Sequence, residues 1–306
     1  MQRFIFIRVL QGIATLVALS LMVFFIPRIA GNPLDLLLPL QATQEDYRQA
    51  AIRLGLDKPL YEQYLLFVTH SLVGDFGNSV KSAVPVMELI LTRLPNSMAL
   101  AGVSMLFSLA VAIPLGVLAA TRQGTLVDSL FRVIAVLGQS VPQFWLGLML
   151  ILLFSIKLNV LPPFGMDTWK HYLMPAFTLG AGIVTAGVMR LLRSSMIDAL
   201  GSEYVKLARV KGVSESGVVW KHALRNAIMP VITFSGVYFA LLIGLAVVVE
   251  TVFAWPGLGR LSYEAVLWRD YPVIQGVVMF TAVIVMVVNL LVDILYAYVD
   301  PRIRYD

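Results

Sequence analysis

Six stretches of the chain contain no Asp, Glu, Lys, Arg or His: Val9–Ile26, Ser97–Ala120, Val133–Ile156, Leu173–Met189, Ala227–Val249 and Val273–Val292. A helix needs about 20 apolar residues to cross a hydrocarbon core roughly 30 Å thick. Five of the six stretches reach or nearly reach that length. Leu173–Met189 is the short one, and it extends through Arg190 to Leu192 if the arginine snorkels its charge to the interface. Long unbroken apolar runs, in place of ten-residue alternating strands, argue against a β-barrel. The pattern predicts an all-α integral membrane protein with six transmembrane helices, its two termini on the same side.

The polar stretches between the runs set the organisation. Residues 1–29 hold the first helix, uncleaved, since its apolar region is longer than the 7–15 residues of a secretory signal. Residues 30–93 form an external loop subdomain. In it, Thr43 caps a helix running through Asp46 and Tyr47 to Leu54 and stopped by Gly55. A second helix runs from Pro59 through Tyr64 and Val68, GDFGNS (Gly74–Ser79) is a turn, and Pro85–Leu94 is a short amphipathic helix leading into span two. A cover for the membrane surface and a contact surface for a partner are both open for this subdomain. Residues 94–306 form a core of five helices carrying a cytoplasmic loop, 193–229.

Composition agrees: 59% of the 306 residues are hydrophobic, 13% are charged, and the mean hydropathy is +0.84, where soluble domains carry about 25% charge. With no cysteine, disulfide and thiol chemistry are excluded. Lys and Arg in short loops number thirteen on the side of the termini, against Lys157, Lys170, Arg260 and Arg269 on the other, which puts both termini in the cytoplasm. The net charge of +5 follows the membrane in this way and gives no reason to expect nucleic acid.

Within the spans, Gln139, Ser140 and Gln143 form a polar cluster. The two glutamines are four apart and so share a face of a continuous helix. They line a pathway or clamp a neighbouring helix by hydrogen bonds. The fourth span is dense in Gly, Ala and Thr and is expected to pack centrally. Trp255-Pro256-Gly257 suits a turn with glycine third, and Trp255 and Trp268 suit an interfacial belt. Asp293 is expected to pair with an arginine such as Arg132, or to relay protons. No phosphate-binding loop, metal-ligand spacing or nucleophile elbow is present, so catalytic residues, cofactors and metals are not expected.

The most informative polar stretch is Glu203–Pro230, EYVKLARVKGVSESGVVWKHALRNAIMP. Tyr204, Leu207 and Ala208 fall on one face of a short helix. Gly212 breaks it, and Ser214 caps a second helix that presents Val218, Val219, Ala223 and Leu224. Two short helices with a sharp turn, too polar for the membrane, suit contact with a soluble partner.

This stretch resembles the coupling segment, or EAA loop, of ABC importer permeases. Aligned on Gly212, Ala208 and Leu224 match the general pattern, while Lys206, Leu207, His222 and Arg225 depart from it. EYVKLARVKG followed by HALRNAIMP is similar to the branch handling peptides, nickel, glutathione and opines. LGLDKPLYEQY, GDFGNS, VFAWPGLGRL, RDYPVIQ (Arg269–Gln275) and the terminal DPRIRY (Asp300–Tyr305) look like the first permease subunit of that branch, so the resemblance covers the whole chain. It implies a type I importer fold in the bacterial inner membrane, pairing with a second homologous permease, two cytoplasmic ATP-binding subunits and an external substrate-binding protein. It implies ATPase coupling through Glu203, Tyr204, Ala208, Lys211, Gly212, Val213, Ser214 and Glu215. Di- or oligopeptides are the expected substrate; nickel, glutathione or opines are the alternatives within the class, and an ion-coupled secondary transporter is the alternative outside it.

Overall fold

A computed structural model describes residues 2–30, 43–53 and 57–299. The expected helix stop at Gly55 and the DPRIRY motif lie outside them. In chain order, α1 (Gln2–Ala30), α2 (Gln44–Arg53) and α3 (Leu60–Leu72) precede α4 (Val86–Thr121). Then come α5 (Leu126–Ser140) and α6 (Gln143–Leu150), which continues as a π-helical turn, Ile151–Lys157. α7 (Lys170–Gly180) passes through a π-helical stretch, Ala181–Thr185, into α8 (Ala186–Leu200). The polar stretch forms α9 (Glu203–Val210), α10 (Glu215–Gly217), a π-helical turn (Val218–Ala223) and α11 (Leu224–Ala227). The chain continues as α12 (Met229–Val252), α13 (Leu258–Leu267) and α14 (Tyr271–Val299).

Among the described residues, five helical segments are long and apolar enough to span: Ile5–Ile26, Val86–Thr121, Lys170–Leu200, Met229–Val252 and Tyr271–Ile294. The sixth candidate is a bent pair: α5 and the segment Gln143–Lys157 meet at 101°. Pro142 causes the break. Its ring pushes the residue before it out of the helical region, and Val141 is extended at φ −79°, ψ 124°. Gln139 and Gln143 therefore lie on two helices and share no common helical face, contrary to the expectation from their spacing. Pro85–Leu94 also differs from expectation, because α4 runs without interruption through Pro95 to Thr121.

Packing divides the chain into two compact units, residues 1–96 with 256–290 and residues 97–255 with 291–306. In the first unit, α3 lies along the end of α1. The Ser20 and Tyr64 hydroxyls are 2.8 Å apart, Phe24 meets Tyr64 edge-on at 5.3 Å, and Arg28 sits 3.6 Å above the Phe24 ring while donating to Gln63. A second cluster buries Val86, Ile90, Leu258, Leu261, Val273 and Val277. Beside it, the Asp270 carboxylate, 3% exposed, accepts from the Ser79 hydroxyl at 2.6 Å and from the N–H groups of Val80 and Lys81. The turn at GDFGNS forms as expected, with Gly74 and Gly77 both at positive φ. α2 begins with a reciprocal cap: the Thr43 hydroxyl accepts from Asp46 N–H, and the Asp46 carboxylate accepts from Thr43 N–H at 2.8 Å. The Thr43 hydroxyl also donates to that carboxylate at 2.7 Å, and this bond, with the one from Thr43 N–H, holds the Asp46 carboxyl below its usual range.

In the second unit the Gly/Ala/Thr-rich span is central, as its composition predicts. Of its most apolar window 56% is buried, against 6% for α14, although it is the least apolar of the straight spans. Small residues let other helices approach closely; a Cβ at Gly187 would strike the Tyr238 ring. α12 ends in a Schellman motif: Trp255 N–H bonds to Glu250 O at 2.8 Å and Ala254 N–H to Thr251 O at 3.3 Å. The left-handed residue is Ala254, at φ 51°. Gly257 is extended, at φ −107°, ψ −176°, so the expected turn with glycine third does not form. Trp255 is fully buried, edge-on to Tyr172 at 4.5 Å, and does not join an interfacial belt. Trp268, 61% exposed, is free of that burial.

Candidate functional site

The polar hairpin is built by local chemistry. α9 ends in the same Schellman pattern as α12: Val213 N–H bonds to Ala208 O at 3.2 Å and Gly212 N–H to Arg209 O at 2.9 Å. Gly212 takes the left-handed position, φ 81°. A Cβ there would meet nothing within 4 Å, so backbone angle, not space, calls for glycine. Ser214 then caps the second arm, its hydroxyl accepting from Gly217 N–H at 3.3 Å. Arg209 reaches across the turn and grips Glu215 with two bonds, 2.7 and 3.1 Å. That grip lowers the Glu215 carboxyl from its ordinary value and raises the Arg209 guanidinium. Lys206 pairs with Glu203 at 2.7 Å.

The faces of the hairpin differ from those read off the helical period. Val205 and Ala208 point inward and are buried, as are Val218, Val219 and Ala223 of the second arm. Tyr204, Leu207 and Val210 point outward, Val210 being 85% exposed. Of the residues expected to touch a partner, Glu203, Tyr204, Lys211, Gly212, Ser214 and Glu215 are exposed and Val213 is half-buried. Ala208, 6% exposed, seats the helix instead, because the two arms close over it.

Directly before α9 lies α8, and from α8 Arg193 reaches Asp128 at the first turn of α5. Arg193 Nε donates to Asp128 Oδ1 and Nη2 to Oδ2, both at 2.7 Å. The Asp128 side chain is 1% exposed, and Gly124 N–H bonds to Oδ2 at 3.1 Å. Arg132, the expected partner of Asp293, stands one turn along α5 with Nε 3.6 Å from the same carboxylate and donates to Ser129. Spacing of four on one helix brings these groups together with no long loop to close. The Asp128–Arg193 pair is absent from the sequence reading because 65 residues separate its members. At the other end of α5, Gln139 and Ser140 are exposed and Gln143, just past the break, is half-buried.

Two family models match, one for the binding-protein-dependent transport system inner membrane component over residues 112–305 and one for the N-terminal part of such components over residues 1–101. The chain belongs to this family. It is 42% identical over 306 residues to the glutathione transport system permease protein GsiC of Salmonella paratyphi A (strain ATCC 9150 / SARB42), and 42% identical to the GsiC of Escherichia coli (strain K12), with all of each chain covered. It is 41% identical over 317 residues to the oligopeptide transport system permease protein AppB of Bacillus subtilis (strain 168), again with all of both chains covered. Among solved structures, the MetNI methionine ABC transporter in inward-facing conformations matches with a TM-score of 0.58 at 20% identity, covering 70% of this chain and 97% of that one. The chain is thus the permease subunit of an ABC importer, with the type I importer fold, and a multi-pass inner membrane component.

Proposed function

We propose that this permease imports short peptides, di- or oligopeptides, and that glutathione, itself a tripeptide, is the alternative cargo of related chemistry. The reading is supported by full-length similarity to both a glutathione and an oligopeptide permease. In it the chain forms the translocation path with a second permease and receives substrate from an external binding protein. ATP is hydrolysed on two cytoplasmic subunits and not on this chain. Both termini and the hairpin are cytoplasmic, as the thirteen-to-four excess of basic residues supports. The observation that carries the coupling assignment is the outer face of α9: Tyr204, Leu207 and Val210 are exposed on a helix too charged to enter lipid, which suits a protein partner. Gln139, Ser140 and Gln143 line the path at the break in span three.

The test is uptake of a labelled dipeptide and of labelled glutathione in a strain lacking the gene, with and without the restored permease. Restored dipeptide uptake that depends on ATP supports the main reading, and restored glutathione uptake alone selects the alternative. Uptake that follows a proton gradient after ATP is depleted overturns the ATP-driven mechanism.

A further inference from the structure

We propose that the Asp128–Arg193 pair is the positioning contact that makes α5, and with it the break at Ser140–Gln143, follow the coupling hairpin. The inference rests on the hairpin being the ATPase-docking element.

α8 ends at Leu200 and α9 begins at Glu203, so a displacement of α9 is passed directly to α8. Arg193 lies seven residues before Leu200, about 10 Å along the axis at 1.5 Å per residue. There its planar fork takes both oxygens of a carboxylate on another helix at 2.7 Å. A paired fork of this kind fixes direction as well as distance. Asp128 is itself held, by Gly124 N–H on Oδ2 and through its own N–H on the Thr125 hydroxyl. The contact therefore grips the start of α5 and not a loose side chain.

The two helices stay together beyond the pair. A Cβ on Gly182 would lie 3.1 Å from the Gly138 carbonyl, and one on Gly138 would lie 3.7 Å from the Ala181 carbonyl. Contacts at 128 with 193 and at 138 with 182 describe antiparallel packing along nearly the whole of α5. Around Gly138 both partners lose regular helical bonding. α5 stops at Ser140 before the 101° bend, and the facing helix is π-helical over Ala181–Thr185. π-bulges and proline breaks are where helices bend. The arrangement is a lever: an ion pair at the hairpin end, a close backbone contact along it, and two adjoining weak points at the polar cluster. Buried ion pairs add little net stability against apolar replacements, which leaves the fixing of one helix against another as the gain here.

The experiment uses the complete transporter, with both permeases, both ATP-binding subunits and the binding protein, in proteoliposomes. Recovery of the ATP-binding subunits, ATP hydrolysis stimulated by the loaded binding protein, and uptake are each measured. Asp128→Asn is expected to leave recovery unchanged and to lower uptake about tenfold while hydrolysis falls less, so that more ATP is spent per molecule carried. The exchange of charges, Asp128→Arg with Arg193→Asp, is expected to restore most of the uptake. Should Asp128→Asn fail to accumulate, Arg193→Lys, which keeps the charge and loses the fork, is expected to show the same split at about threefold. Uptake and hydrolysis falling in parallel in these variants, or neither changing, overturns the proposal. Loss of the ATP-binding subunits in Gly212 variants belongs to the docking assignment and is read separately.

Discussion

Two helix ends in the second unit are built on one hydrogen-bond pattern from different residues. α9 and α12 both finish with a left-handed residue and the paired backward bonds of a Schellman motif. At α9 the left-handed residue is Gly212, exposed, with open space around it. At α12 it is Ala254, followed by Trp255 with no exposed surface and preceded by Phe253 at 1%. A left-handed non-glycine residue costs about 1–2 kcal/mol. Where a buried indole and phenyl ring follow from the turn, packing offsets that cost. At the solvent-facing α9 turn no such packing offsets it, and glycine is the residue present. One turn is held by its core, the other by its backbone and by the Arg209–Glu215 grip across its surface.

The strongest way to break this comparison is to remove the packing from the α12 turn. Trp255→Ala is expected to destabilise the protein by about 3–5 kcal/mol, the range for emptying a buried aromatic site. Thermal unfolding of the purified transporter should show a large fall in midpoint, and uptake should fall with the amount of protein in the membrane. An unchanged midpoint would mean that the buried indole is not what sustains the left-handed alanine.

Gly212→Val should do the reverse. A β-branched residue at φ 81° is strained by about 2 kcal/mol, but the strain is local to an exposed turn. Membrane insertion is expected to stay normal and the unfolding midpoint to fall by only a few degrees, less than for Trp255→Ala. Uptake is expected to be lost, because α9 and its second arm no longer meet at the angle a docked partner needs. Normal uptake in this variant would count against the coupling assignment as a whole.

The difference between the two turns also shows what could be read from the residues alone. Gly212 and Ser214 act through their own backbone neighbourhood, so the hairpin was legible: a left-handed position and a cap are local chemistry. The spans were legible for a similar reason, since hydrocarbon thickness sets their length. Ala254 was not legible, because its conformation is sustained by burial of residues around it, and Gly257 offered a more obvious candidate. Prolines were ambiguous in the same way. Pro95, Pro114 and Pro175 lie within continuous helices while Pro142 ends one, and in a membrane the neighbouring helices decide which of these occurs. The Asp128–Arg193 pair was hidden by distance along the chain, and the one ion pair expected from the residues, Asp293 with an arginine such as Arg132, did not involve Asp128.

The smallest effect sharpens the comparison most, because its sign is at stake. Ala254→Gly relieves the left-handed strain of about 1–2 kcal/mol, but glycine gives back about 0.5–1 kcal/mol as added freedom of the unfolded chain. The half-buried methyl removes a few tenths more. The balance is a gain of about 0.5 kcal/mol, a rise of roughly 1–2 °C in the unfolding midpoint for a protein of this size, with uptake unchanged. A fall in the midpoint would mean that the Ala254 methyl contributes more to the packing around Trp255 than its backbone angle costs. The α12 turn would then be set by its core, with the packing of the methyl outweighing the strain of its left-handed backbone.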